Sequence, residues 1–234
     1  DYLLKNISFK ANKGDVVAFI GSTGSGKSSL INLVPRFYDA TDGEVLVDGV
    51  NVKDYDIEAL RNKVGIVMQK AVLFKGTIRE NMWMGKKGAT DEQIDEALEI
   101  SQSKEFVDSK QGRLDYVIEQ GGKNLSGGQR QRLTIARAIV RKPDVLILDD
   151  SASALDFATD AALRKAIRGM NNSPTVFIVS QRAASLMYAD LIIVLDDGQV
   201  AGMGTHDELL ANCEVYKEIY ESQFKKADSE GGVA

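Results

Sequence analysis

The chain has 234 residues, of which 44% are hydrophobic and 27% are charged, and its formal net charge is -5. This length suits one large α/β domain or two small ones. Three prolines and 21 glycines exclude a collagen-like or low-complexity chain, and the acidic balance gives no general attraction for nucleic acid. The lone cysteine, Cys213, cannot form an internal disulfide and is expected to be structural. No stretch reaches the ~18 consecutive apolar residues of a membrane span.

Short apolar runs rich in β-branched residues predict strands throughout the chain. They lie at 15–20, 44–47, 64–68, 145–148, 175–179 and 191–195. The runs at 145 and 175 are continuously apolar, as in strands that are buried on both faces of a parallel sheet. The segments 2–9 and 44–53 alternate instead, which predicts an antiparallel appendage with one solvent-exposed face.

Helical periodicity dominates the middle of the chain. Apolar residues recur at helical spacing from 91 to 107, after Thr90, which is expected to be the N-cap of this helix. A second helix is expected after Gly128, ending before Pro143. The last residues, 225–234, are expected to form a frayed tail.

A glycine-rich loop follows the first predicted strand and precedes a predicted helix. Its sequence is G-x-x-x-x-G-K-S, in which glycines let backbone N–H groups approach phosphate oxygens closely. Lys27 would supply a positive charge to the β- and γ-phosphates, and Ser28 a hydroxyl to Mg²⁺. This pattern predicts a nucleoside triphosphate site. The residues expected to contact the nucleotide are Ser22, Thr23, Gly24, Ser25, Gly26, Lys27, Ser28 and Ser29.

A second acidic element supports this prediction. The apolar run 145–148 ends in Asp149 and Asp150, at the strand edge where ligands of open α/β sheets bind. We expect Asp149 to hold the metal ion directly or through water.

A third motif identifies the family that the chain resembles. The sequence Leu125-Ser126-Gly127-Gly128-Gln129 alone would be a glycine-containing helix N-cap. Together with the phosphate loop, it resembles the LSGGQ signature of the nucleotide-binding domain of ABC transporters. Gln69 resembles the family's Q-loop glutamine, and Ser153-Ala154-Leu155-Asp156 resembles its D-loop. Segments 73–81 and 204–210 resemble stretches of ABC exporters.

The resemblance implies a single ABC ATPase domain over 1–234. Its fold would be a RecA-like P-loop core with a parallel sheet and an antiparallel β appendage, formed by 1–70 and 143–234. A mainly helical subdomain, 71–142, would be inserted in this core and carry the signature.

The resemblance also implies how such a domain works. Two domains would bind head to tail around two ATP molecules, each signature capping the ATP of its partner. Mg²⁺ would be held by Ser28, Gln69 and Asp149, and Gln69 would also be a catalytic residue through contact with the attacking water. Closure would drive a transmembrane domain, which we expect upstream because the chain begins abruptly inside an alternating pattern. The domain would lie at the cytoplasmic face of the cell membrane, with no nucleic acid partner.

Two catalytic positions depart from the family pattern. Asp150 stands where active members carry the glutamate that acts as general base, and Gln181 stands where they carry the switch histidine. The chain's one histidine, His206, lies too far along the sequence to replace it. The chain therefore resembles the degenerate-site half of a heterodimeric bacterial exporter, whose partner would carry Glu and His. Slow hydrolysis at its own site is expected.

Other interpretations stay open at this level. A soluble ABC ATPase, an importer subunit and a regulatory ATP-binding module share most of these motifs, although sustained heptads and long insertions are missing. The transported substrate is not predicted. The family's adenine-stacking aromatic would lie upstream of Asp1, and Tyr2 is too close to the phosphate loop to be its equivalent.

Overall fold

The computed structural model describes residues 3–151 and 153–230, of which 224–230 are described as backbone only. Tyr2 and the end of the predicted tail, 231–234, lie outside the described residues. The strands are β1 (Val16–Ile20), β2 (Leu46–Val47), β3 (Val50–Asn51), β4 (Val64–Val67), β5 (Gly76–Thr77), β6 (Val117–Ile118), β7 (Val145–Asp149), β8 (Thr175–Val179), β9 (Leu191–Asp196) and β10 (Gln199–Gly204).

Helices connect most of these strands, and three short 3₁₀ turns lie at Arg113–Asp115, Gln120–Gly122 and Ala183–Ser185. The α-helices are α1 (Lys27–Ile31), α2 (Ile57–Lys63), α3 (Ile78–Trp83), α4 (Asp91–Ile100), α5 (Lys104–Asp108), α6 (Gly127–Ile139), α7 (Phe157–Arg168), α8 (His206–Asn212) and α9 (Glu214–Glu230). In the described part of the chain, no helix combines the length and the apolar character needed to cross a membrane.

The chain forms two compact units, of which the first comprises the described residues up to Leu60 and those from Thr175 onward. Its strands are ordered β10-β9-β1-β8, with β1 parallel to both of its neighbours and β10 antiparallel to β9. Every residue of β1 is buried. Phe19 in β1 pairs with Val179 in β8, so these two parallel strands end side by side.

The segment before β1 does not form the predicted strand. The N–H of Lys5 donates to the carbonyl oxygen of Gly198 across 2.8 Å, but Asn6 has a φ of 53°, which interrupts the extended backbone. The alternating apolar residues in 3–9 make individual packing contacts instead of forming a strand. The ring of Phe9, for example, packs edge-on against Phe19 at 5.6 Å between centroids.

The predicted antiparallel appendage forms as a hairpin that is shorter than 44–53. Strands β2 and β3 pair around Asp48 and Gly49, whose φ values of 51° and 77° are those of a type I′ turn. Beneath it, Val47, Val52 and Leu60 form a buried cluster. The predicted alternation is confirmed in this hairpin, because Val47 and Val52 are buried whereas Leu46 and Val50 are exposed.

The second unit, Arg61–Pro174, contains the parallel pair β4 and β7 and most of the helices. The predicted helix after Gly128 is confirmed as α6, which ends at Ile139 before Pro143. Thr90 caps α4 as predicted, and its side chain accepts from the N–H of Gln93.

Two predictions are wrong, one of a continuous helix and one of a frayed tail. The stretch 91–107 is not one helix, because α4 ends at Ile100 and Gln102 has a φ of 60° before α5 begins. The hydroxyls of Ser101 and Ser103 are buried in this turn, 2.8 Å apart. The predicted frayed tail is also wrong over 225–230, where α9 continues to Glu230.

Candidate functional site

The glycine-rich loop of the first unit runs from the end of β1 to α1. Gly24 and Gly26 have φ values of 86° and 96°, which side chains disfavour. A Cβ atom at Gly21 would lie 2.0 Å from the carbonyl oxygen of Leu195, and one at Gly26 would lie 2.5 Å from the Cδ2 atom of Leu4. Glycine is therefore required at both positions, and the backbone keeps the tight curve that a phosphate cradle needs.

The side chain of Lys27, the first residue of α1, reaches back to the oxygens of this loop. This side chain is buried, with 7% of the residue exposed. The Nζ atom donates to the carbonyl oxygens of Gly21 at 2.8 Å and Ser22 at 2.7 Å, and to the hydroxyl of Ser25 at 3.2 Å. These neutral oxygens hold the ammonium inside the curve of the loop. A positive charge held there attracts an anion to the loop, in which Ser22 and Ser28 are exposed.

The position expected for the switch residue lies at the same sheet edge. The N–H of Ser180 donates to the carbonyl oxygen of Phe19 across 3.3 Å, so Gln181 leaves the sheet beside the start of the phosphate loop. The Gln181 side chain is exposed. Its carbonyl oxygen accepts from the Nε2 atom of Gln223 at 2.6 Å, and the Oε1 atom of Gln223 accepts from the N–H of Ala183 at 2.9 Å.

Gln223 belongs to no recognised motif, and the sequence did not predict it as a site residue. The available signal was weak: Tyr216, Tyr220 and Gln223 follow the spacing of one helical face.

The acidic edge of the second unit brings together two of the predicted catalytic residues. Because Val67 of β4 pairs with Leu148 of β7, the residues that follow these strands meet at one edge. The Nε2 atom of Gln69 lies 3.2 Å from the Oδ2 atom of Asp150, to which it donates. Asp149, the last residue of β7, is buried with 6% of its surface exposed. This edge presents a buried carboxylate beside a more accessible one.

The predicted D-loop follows directly. The Oγ atom of Ser153 donates to the carbonyl oxygen of Asp150 across 2.9 Å, which ties the loop to the predicted catalytic position. Asp156 caps α7, and its carboxylate accepts from the N–H and the hydroxyl of Thr159. These hydrogen bonds lower the pKa of Asp156 below its ordinary value. Residues 153 and 156 of the D-loop are thus each held by hydrogen bonds, to Asp150 and to the first turn of α7.

The signature motif begins α6. Ser126 is the N-cap, and it forms a capping box with Gln129, in which each side chain accepts from the other's N–H. Leu125 is buried, whereas Ser126 and Gly127 are exposed. A Cβ atom at Gly128 would lie 3.4 Å from the carbonyl oxygen of Ala154, so the second glycine approaches the D-loop backbone. An exposed N-terminus of a long helix suits an anion.

His206 and Cys213 make packing and hydrogen-bonding contacts within the fold. For Cys213 this structural role was expected. The Nδ1 atom of His206 lies 2.8 Å from the hydroxyl oxygen of Tyr216, and Cys213 is buried. Burial raises the pKa of Tyr216 to about 12.

The predicted Mg²⁺ ligands are of a suitable chemical type. Ser28, Gln69 and Asp149 offer hydroxyl, amide and carboxylate oxygens, which are the hard ligands that Mg²⁺ prefers. Within the described ranges 3–151 and 153–230, no group of three or more His, Cys, Asp or Glu residues could hold a metal ion. Mg²⁺ typically binds through one or two carboxylates and substrate phosphates rather than such a cage.

A phosphate loop after a parallel strand, an acidic strand end and a capped Ser-Gly-Gly helix start define a P-loop protein of the α/β class. The model of the ABC transporter family matches residues 4–153, more than half of the chain. The chain belongs to this family.

Relatives agree with this assignment. A Staphylococcus aureus protein named for multidrug export as an ATP-binding/permease protein is 41% identical over 221 residues, which cover 94% of this chain and 38% of the relative. The uncharacterized ABC transporter ATP-binding protein YfiB of Bacillus subtilis is 44% identical over 227 residues, covering 97% and 39%. The chain therefore spans less than half the length of these relatives.

A solved structure shares the fold. A bacterial Atm1-family ABC exporter with ATP bound superposes with a TM-score of 0.89 and 34% identity, over 94% of this chain and 39% of that chain. The predicted fold class, a mixed α/β core with a parallel-dominated sheet, an antiparallel pair and helices, is thereby confirmed.

Proposed function

We propose that this chain is the ATP-binding and ATP-hydrolysing domain of an ABC exporter. The environment of Lys27 carries the proposal, because the phosphate loop holds a buried ammonium 2.7–3.2 Å from its own oxygens, and phosphate oxygens would replace these acceptors when the nucleotide binds. In this proposal residues 22–29 bind the triphosphate, and Lys27 contacts the β- and γ-phosphates.

Three side chains would serve the metal. Ser28, Gln69 and Asp149 would hold Mg²⁺, which when bound neutralises negative charge on the phosphates. Asp149 suits this role because it is a buried carboxylate at a strand end.

The chain's own site would be slow. Asp150 would be the general base, but its side chain is one methylene shorter than the glutamate of active members. A misplacement of ~1 Å can lower a rate ~10²-fold. Gln181 would reach the γ-phosphate with a neutral amide instead of an imidazole.

The intact signature would serve a second ABC ATPase domain. Leu125, Ser126, Gly127, Gly128 and Gln129 would cap ATP bound to a partner in a head-to-tail dimer, and the exposed Ser126 and Gly127 support this role. The D-loop, 153–156, would line the same contact. The proposed partner carries Glu and His at the matching positions and provides the productive site.

The dimer would drive transport. The relatives named as export and permease proteins are much longer than this chain, which supports a transmembrane domain as a further partner. In that assembly the domain lies at the cytoplasmic face of the cell membrane, and its closure around ATP moves the membrane helices.

Nucleotide binding tests the proposal first. Titration of this chain with Mg-ATP should give saturable binding that Lys27→Ala weakens roughly tenfold or more, because a charge-assisted contact is lost. Lys13→Ala, which removes an exposed lysine before β1, is the matched control and should bind as the parent does. Equal affinity of the Lys27 variant and the parent would contradict the proposal.

A further inference from the structure

The side chain of Gln223 clamps the loop that carries Gln181. Its Nε2 atom donates to the carbonyl oxygen of Gln181 at 2.6 Å, and its Oε1 atom accepts from the N–H of Ala183 at 2.9 Å. The amide thus pairs with two backbone groups, as a neighbouring strand would. Both hydrogen bonds fix the backbone and leave the Gln181 side chain exposed.

Contacts along one side of helix α9 fix the position of Gln223. Tyr216, Tyr220 and Gln223 are spaced four and three residues apart, so they share one side of the helix. Tyr216 is fully buried, and its hydroxyl oxygen lies 2.8 Å from the Nδ1 atom of His206 at the start of α8. The His206 ring also packs against Tyr220, with 5.1 Å between centroids. The register of α9 is therefore anchored one to two turns before Gln223.

The loop is held from its other end by the sheet. Ser180 is bonded to Phe19 of β1, and its Oγ atom accepts from the N–H of Arg182 at 3.0 Å. Ala183 is fully buried. Between the sheet and this buried alanine, Gln223 is bonded to both sides of Arg182, so a change at Gln223 would act on the position from which Gln181 projects.

We propose that Gln223 is a positioning residue for ATP hydrolysis, which sets the direction of the residue at 181 toward the γ-phosphate. This inference rests on the proposed function, since it assigns a role within the same ATP site. Gln223 touches the loop backbone and is not assigned any contact with nucleotide. Its loss is expected to lower turnover while the phosphate loop, which binds the nucleotide, stays intact.

The test starts from this chain carrying Asp150→Glu and Gln181→His, which is called the parent in this test. In this parent the side chain at position 181 is expected to contribute most to turnover. Gln223→Leu removes both hydrogen bonds at similar size, and Gln223→Glu keeps the acceptor for Ala183 but replaces the donor to the Gln181 carbonyl. Ser222→Ala, on the exposed side of α9, is the matched control. Three quantities are measured: Mg-ATP affinity, kcat, and the hydrogen-exchange rate of the Ala183 amide.

We expect Gln223→Leu to lower kcat roughly tenfold or more, with ATP affinity within about twofold of the parent, because a small displacement penalises turnover more than binding. Exchange at Ala183 should accelerate in Gln223→Leu but much less in Gln223→Glu, which still accepts from this amide. Gln223→Glu should nevertheless lose turnover, since its carboxylate repels the carbonyl at 181. Ser222→Ala should match the parent in all three quantities.

Different failures have different meanings. If Gln223→Leu accelerates exchange at Ala183 but keeps the parent's kcat, the positioning role is wrong and the ATPase proposal stands. Equal losses of affinity and turnover would show a general structural role and would also overturn the inference. If the parent neither binds nor hydrolyses ATP, the proposed function fails, and the exchange rates still report whether Gln223 clamps the loop.

Discussion

The side-chain amide of Gln69 donates to Asp150 across 3.2 Å, although the two residues are 81 positions apart in the chain. The parallel pairing of β4 with β7 ends both strands at one edge and brings the residues together. The shorter carboxylate at position 150 is thus within reach of the glutamine that we propose for the metal ion. Asp150 is also tied through its backbone to Ser153.

Restoring the family residues should raise turnover. Asp150→Glu extends the proposed base by one methylene, and Gln181→His supplies an imidazole, so the double variant should exceed the native chain by roughly 10²-fold or more in kcat. Steady-state hydrolysis at saturating Mg-ATP measures this. Brisk turnover by the native chain, with no gain in the double variant, would refute the degenerate site.

The conformation of residue 150 requires a stability control. Asp150 has a φ of 46°, a left-handed conformation that aspartate tolerates better than glutamate. Asp150→Glu should therefore lower the free energy of unfolding by about 1 kcal/mol even as it raises turnover. Asp54→Glu, at an exposed position, controls for the substitution itself and should leave both quantities unchanged.

The sequence predicted those features that depend on neighbouring residues. The phosphate loop and the Ser126 capping box are local, so residue types and spacing were enough. The contact between Gln69 and Asp150 depends on strand register, and that of Gln223 on the docking of a distant helix, so no short pattern encodes either. The strand β10 was missed although Asp197 and Gly198, both with positive φ, form the turn before it.

Glycine at position 21 should be irreplaceable for steric reasons. In Gly21→Ala the new Cβ atom would lie 2.0 Å from the carbonyl oxygen of Leu195, and neither backbone segment can yield without moving the loop or β9. We expect a loss of about 1–3 kcal/mol in the free energy of unfolding, together with weaker ATP binding. Urea denaturation and Mg-ATP titration measure the two effects.

Gly169→Ala is the control for that experiment. Its new Cβ atom would meet backbone oxygens at 3.5 Å, an ordinary contact distance, and its φ of -81° suits alanine. It should change stability little. Similar stability of the two variants would show that the curve of the phosphate loop does not depend on Gly21.

The two roles assigned to Ser126 can be separated by substitution. Ser126→Ala removes the side-chain acceptor for the N–H of Gln129 and should lower the free energy of unfolding by about 1 kcal/mol. Ser126→Asp keeps a good N-cap but places a negative charge at the proposed ATP-capping surface. We expect it to retain stability and to abolish ATP-dependent association with a partner domain, measured by sedimentation. Association at the parent's level in Ser126→Asp would argue against an anion site at the signature.

The buried hydroxyl of Tyr216 should make stability fall at high pH. Burial raises its pKa from 10.0 to about 12 in the folded chain. Below pH 10 the hydroxyl is neutral in the folded and unfolded states, so its ionisation does not change the free energy of unfolding. Between pH 10 and 12 the unfolded chain releases this proton and the folded chain does not, so unfolding becomes more favourable as pH rises, by up to about 2 kcal/mol across the window.

Comparison with Tyr216→Phe isolates this effect from other groups that titrate at high pH. At pH 7 the variant should be less stable by about 1 kcal/mol, because it loses the hydrogen bond with His206. Above pH 10 that difference should shrink and then reverse in urea denaturation, since phenylalanine has no proton to release. Tyr38→Phe, which alters an exposed ring, should run parallel to the native chain. A constant difference between native chain and Tyr216→Phe up to pH 11.5 would show that the hydroxyl ionises equally in both states, and therefore that α9 is not packed tightly at the residue that anchors Gln223.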